Sequence, residues 1–225
     1  TLALGVRGRW FKSSHLDKKT LDLYTNNVLY YNNQSIGKHM NQMGYACINE
    51  TLSSQKPKVY TGRSMIKRTF KAKGIEYASE LGLDNCKDLF KIIKWNKENG
   101  FNFFRITSNL FPWSSEYKLH QLPHFESIRD ILHDIGNYVQ VNRMRITSHP
   151  GPFNVLTSPH PHVVDNCITD LSIHGRVFDL MHLSRTPYNK INIHIGGAYG
   201  DKPSAMKRFR VMYYWNYICY EKILY

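Results

Sequence analysis

Two segments, Ser148-His149-Pro150-Gly151 and Ile193-His194-Ile195-Gly196-Gly197-Ala198-Tyr199-Gly200, each end an apolar run on a histidine and follow it at once with turn residues that include glycine. A histidine at the last position of a parallel strand projects from the carboxyl edge of a sheet. Open α/β and barrel enzymes place metals and substrates at that edge, and the glycine lets a ligand approach the backbone. Neutral imidazole is a good ligand for Mn, Fe, Zn or Co, so His149 and His194 are the candidate metal ligands of one shared site. His160 and His162, in Ser158-Pro159-His160-Pro161-His162, fall in a loop and read instead as helix N-terminal residues or phosphate contacts. No residue is assigned to a catalytic step on its sequence alone.

A second chemistry lies upstream. Between Gln55 and Gly74 stand seven basic residues (Lys56, Lys58, Arg63, Lys67, Arg68, Lys71, Lys73) and no acidic one, with Tyr60 and Phe70 interleaved. Such a segment can pair phosphates and stack on bases; the alternative is a solvated basic loop. The whole chain leans the same way: 30 Lys+Arg against 17 Asp+Glu give a net charge of +13 over 225 residues, which points to an anionic partner, most simply nucleic acid.

The elements that must position these residues follow from hydrophobic period. With 42% apolar residues the chain can bury a core and is not of disordered composition. Strands are expected over Met43–Ile48, Phe101–Thr107, Met144–His149 and Lys190–Gly196, and helices near Asp84–Asn99, Pro123–Tyr138 and His160–Leu183, with a last helix from about Pro203. Cys86, Leu89, Phe90 and Ile93 share one face of the first helix, and Phe125, Ile128, Ile131, Leu132 and Ile135 share one face of the second. Successive βα units of this kind build a right-handed (β/α) barrel or half of one. Residues 1–42 lack periodicity and read as a leader or extension outside that fold. The four cysteines form no CxxC pair, and no secretory signal or membrane-spanning run is present in the sequence, so a reduced, intracellular compartment is expected.

Five segments taken in order carry a resemblance to a known family. They are Met43-Gly44-Tyr45-Ala46-Cys47-Ile48-Asn49-Glu50-Thr51-Leu52, Lys67-Arg68-Thr69, Phe104-Arg105-Ile106-Thr107-Ser108-Asn109-Leu110-Phe111-Pro112, Ser148-His149-Pro150-Gly151, and His194 through Lys202. Together they resemble the UV damage endonuclease (UvdE-type) family from about Met43 to Phe209. The resemblance implies an α/β fold of TIM-barrel type and a metal-dependent hydrolase that incises damaged double-stranded DNA 5′ to UV photoproducts. The expected cofactor is a cluster of divalent ions, usually Mn²⁺, with His149 and His194 among its ligands.

Further contacts are implied residue by residue. Tyr45 and Asn49 match positions near the lesion and the DNA backbone, Lys67 and Arg68 the basic segment, and Gly196, Gly197, Tyr199 and Lys202 the turn that approaches DNA. Pro152 and Phe153 occupy the positions of a lesion probe, where Phe153 keeps an aromatic wedge but Pro152 offers no side-chain hydrogen bond. The sequence departs from the family after His194: no Leu-Glu-Asn-like motif occurs, and only Asp201 and Glu221 are acidic. About the first half of the barrel is therefore expected, over residues 43–210, followed by an aberrant tail over 211–225, and open barrel edges that invite self-association. Two other readings remain open, a non-catalytic DNA-binding remnant and an apurinic-site endonuclease on the same barrel.

Overall fold

Three apolar runs pair as strands in a parallel sheet ordered β1-β2-β3: β1 over Gly44–Ala46, β2 over Phe103–Ile106 and β3 over Arg145–Ser148. The computed structural model describes residues 43–219; the leader expected over residues 1–42 lies outside the described residues. Between the strands run α1 (Glu50–Ser53), α2 (Lys67–Glu98) and α3 (Phe125–Val141), and after β3 come α4 (Pro161–Leu180) and α5 (Lys202–Cys219). Each strand lies within the expected run but is shorter. The α5 helix continues through 219, so the tail expected from 211 begins without a break in the helix.

The register explains where the core sits. Tyr45 pairs with Phe104 and Phe104 with Ile146, whereas Ala46 pairs with Arg105 and Arg105 with Thr147. Residues in register share a face. One face, carrying Phe104, Ile106 and Ile146, is buried under Leu89, Ile92 and Ile93 of α2 and Ile128, Leu132 and Ile135 of α3. Arg105 stands on the other face. Helices on the outside and polar residues inside the curve of a parallel sheet are the layering of a barrel wall, of which the described residues make a part.

Two expectations need correction. The fourth strand, Lys190–Gly196, is reduced to one parallel bridge between Ser148 and Ile191, held by Ser148 N–H donating to Lys190 O (3.1 Å) and Asn192 N–H to Ser148 O (2.8 Å). Its neighbour cannot extend the ladder, because two residues beyond Ser148 stands Pro150, which has no N–H. The chain on the other side turns at Gly196 with φ +101°, outside strand geometry. The helix expected from Asp84 begins instead at Lys67 and is interrupted at Gly74, whose φ of 66° and ψ of −158° suit glycine alone. The second half of the basic segment is thus a short helix, not a loop.

The closest backbone approach in the helical layer is at Gly136 of α3. A Cβ there would stand 1.9 Å from the carbonyl oxygen of Met181, just past α4. Backbone cannot yield as a side chain does, so Gly136→Ala is expected to destabilise the fold by about 2 kcal/mol or more. Urea denaturation would read it as a lowered midpoint at unchanged slope.

Candidate functional site

The two strand-end histidines meet. The rings of His149 and His194 stack with centroids 4.6 Å apart and planes 29° from parallel. His149 follows β3 on the same face as Thr147 and Arg105, while His194 is brought alongside by the Ser148–Ile191 bridge, three residues before it. Arg105 Nη1 lies 3.3 Å from His149 Nδ1. Burial, then the neighbouring His194 and the Arg105 guanidinium, hold the His149 imidazole below its usual pKa, so the neutral ring, the form able to bind an ion, is favoured near pH 7. Arg105 Nε is buried with no hydrogen-bond partner. A guanidinium with spare donors beside two imidazoles gives a rim that attracts a phosphate oxygen.

Arg105 lies within the family-like Phe104–Pro112 segment, where the sequence alone assigns it no contact. Its signal was a single charge at an alternating position of an otherwise apolar strand, Phe103-Phe104-Arg105-Ile106. The donor set fits the start of a divalent-metal site: two imidazoles, one of them held neutral. No third His, Cys, Asp or Glu joins them among the described residues.

The loop after His149 places Pro152 and Phe153 on the surface, with the Phe153 ring 66% exposed. The Phe153 ring rests over Gly151, where a Cβ would lie 2.3 Å from it and the exposed ring would have to swing aside. The Gly196-Gly197 turn docks against this region: Thr157 Oγ1 donates to Gly197 O at 3.0 Å, and a Cβ on Gly196 would stand 2.4 Å from Thr157 Oγ1. Gly196 is thus used for a close approach within the protein. Tyr199 is exposed, with the Arg208 guanidinium 5.9 Å from its ring centroid, and Lys202 opens α5 on the surface. Lys67 and Arg68 are exposed at the start of α2.

Other expected contacts are not brought to this rim. Tyr45 lies on the helix-covered face, edge-on to Phe101 and Phe104 and hydrogen-bonded to Asn96 of α2. Asn49 is buried; its amide donates to Tyr45 Oη at 2.6 Å and its carbonyl oxygen caps α1 by accepting from Leu52 N–H at 2.9 Å. Strand alternation sets Tyr45, which is half-buried, on the face opposite Arg105. Phe70 stacks on Trp113 at 5.5 Å, and Tyr60 lies between Lys58 and Arg63. Of the seven basic residues, Arg63 is an internal cation paired to Asp88 at 2.6 Å.

Comparisons with known proteins identify the chain's relatives. Residues 41–215 match the family described as UV-endonuclease UvdE. The chain is 34% identical over 175 residues to the UV-damage endonuclease of Schizosaccharomyces pombe, covering 76% of this chain and 29% of that protein. It is 31% identical over 168 residues to the UV DNA damage endonuclease of Clostridium perfringens, covering 75% and 38%. A crystal structure of SacUVDE superposes with a TM-score of 0.66 at 29% identity, over 78% of this chain and 56% of that one. The chain therefore spans a third to about half the length of these relatives. With the family match covering residues 41–215, the chain belongs to the UV-endonuclease UvdE family.

Proposed function

We propose that this chain serves in hydrolytic incision of double-stranded DNA on the 5′ side of UV photoproducts, with divalent ions, Mn²⁺ foremost, at His149 and His194. The observation that carries the reading is the meeting of both histidines with Arg105 on one rim, beside the exposed Phe153. The chain's net charge of +13 supplies the long-range attraction to DNA. Arg105 binds and orients a phosphate. Phe153 fills the space left where a lesion unstacks the duplex. The exposed Lys67, Arg68 and Lys202 pair the flanking backbone. When bound, the metal polarises a phosphate and makes water a stronger nucleophile.

The absence of a third His, Cys, Asp or Glu ligand among the described residues favours a second reading, in which this part of the barrel binds damaged DNA without cutting it. A 5′-labelled duplex carrying one photoproduct, incubated with the chain and Mn²⁺, separates the two. A single cut 5′ to the lesion supports incision. Retention in a gel without a cut, stronger than for undamaged duplex, supports binding alone. Equal affinity for both duplexes overturns both readings.

A further inference from the structure

Phe153 is the most exposed aromatic side chain on the rim, and its loop is held by a buried polar network beside the apolar anchor of Leu156 against α4. Asn154, next in the chain, is only 2% exposed. Its amide nitrogen donates to Asp170 Oδ2 at 2.7 Å and to Gly151 O at 3.3 Å, bridging the loop's own turn to α4. Asp170, 5% exposed, uses its other oxygen to accept from Ser114 Oγ, in the segment that follows β2. His174, one turn further along α4, lies 3.8 Å from Asp170 Oδ2 through Nε2 and 2.9 Å from Ser148 Oγ through Nδ1. One carboxylate thus ties the Phe153 loop to the segment after β2 and lies beside His174, which contacts Ser148 of β3.

The loop is pinned from the other side as well. Cys167 Sγ accepts from Val155 N–H at 3.0 Å and lies 3.7 Å from Phe153 O. Asn154 Oδ1, by contrast, is buried with no partner. Leaving a buried acceptor unpaired is costly, so the asparagine is kept there for its donor and for the carboxylate that receives it.

We propose that Asp170 and Asn154 form a positioning clamp that presets the loop so that Phe153 stands ready to enter a damaged duplex, making the pair a determinant of damaged over undamaged DNA. The inference rests on the reading that this rim meets damaged DNA. Ordering the loop before binding removes the entropy cost of ordering it in the complex. A charge-assisted hydrogen bond shielded from water is strong enough to do so.

The test compares the chain with Asn154→Ala, Asp170→Ala, Phe153→Ala and the double variant Asn154→Ala/Phe153→Ala. Hydrogen exchange of the 151–155 amides reads the clamp without DNA. Fluorescence anisotropy reads the ratio of affinities for a photoproduct duplex and its undamaged counterpart. Asn154→Ala is expected to speed exchange in the loop about tenfold and to cut the affinity ratio about tenfold, the size expected for one charge-assisted hydrogen bond. Undamaged binding should stay unchanged, and the double variant should lose no more than Phe153→Ala.

Unchanged exchange in Asn154→Ala overturns the clamp. Faster exchange with an intact affinity ratio overturns its role in discrimination. A parent chain without preference for damage overturns the functional reading itself, and the positioning role with it. Asp170→Ala, which also frees Ser114, should perturb stability more; Asn154→Ala keeps the test valid if that variant does not fold.

Discussion

Mn²⁺ retention is expected to fall by roughly 100-fold or more when either His149 or His194 is replaced by alanine, beyond the upper end of what removal of an outer partner costs. The two rings are the only convergent imidazoles at the carboxyl edge of the described sheet, stacked at 4.6 Å. Because burial, His194 and Arg105 keep His149 below its usual pKa, the imidazolium form that would compete with an ion is disfavoured near pH 7. Two ligands make a shallow site, so losing one removes the chelate rather than weakening it. Another histidine pair supplies the control: His133 and His182 lie edge-to-face at 5.2 Å, with His133 on α3. Free Mn²⁺, followed by its electron paramagnetic resonance signal, should rise in His149→Ala and His194→Ala but not in His133→Ala. Equal retention in all three would remove the metal from this rim.

Asp88→Ala is expected to cost about 3 kcal/mol of stability, the range for breaking a buried ion pair from one side. The side chain of Asp88 is 5% exposed and accepts from Arg63 Nη2 at 2.6 Å, Lys91 Nζ at 2.9 Å and Tyr60 N–H at 3.2 Å. Arg63 also exchanges hydrogen bonds with Asn85, its N–H donating to Asn85 Oδ1 and its carbonyl accepting from Asn85 Nδ2, both at 3.1 Å. Removing the carboxylate leaves a mostly buried guanidinium and a backbone N–H without their acceptor. The basic loop ahead of α2 would then lose its anchor.

Burial pushes the Asp88 carboxyl up, but hydrogen bonds from Lys91, Arg63 and the Tyr60 backbone, with the charge of Arg63, outweigh it and hold the group below its ordinary 3.8. A carboxylate whose pKa is lower folded than unfolded contributes stability that is fully present above the unfolded value. That contribution is lost as pH falls through the folded value. The gap between the chain and Asp88→Ala, read by urea denaturation, should therefore be full at pH 7 and shrink below about pH 4. A gap that stays constant across that range would show that the ion pair is not its source.

Much of this architecture is written in the order of residues. Alternation in Phe103-Phe104-Arg105-Ile106 and the apolar spacing of Ile128, Leu132 and Ile135 predict β2 and α3 to within a few residues, because burial on one face imposes a period that the sequence must carry. The same logic predicts that His149 stands at a strand's carboxyl end, and the structure brings His194 beside it.

Period does not say which polar group a side chain finds. Tyr45 and Asn49 stand in a family-like segment, and tertiary packing adds partners that the segment does not announce, Asn96 for Tyr45 and the start of α1 for Asn49. Phe70 and Arg63 sit in a run of positive charge, yet one stacks on Trp113 and the other pairs with Asp88. Lys190–Gly196 has the composition of a strand but lacks a continuous ladder, since Pro150 withholds an N–H and Gly196 turns away. The Asp170–Asn154 bond joins residues sixteen apart on a helix and a loop. Local sequence determines which face a residue takes; only the approach of α4 to the loop after β3 decides that Asp170 meets Asn154, because a hydrogen bond needs two groups within about 3 Å.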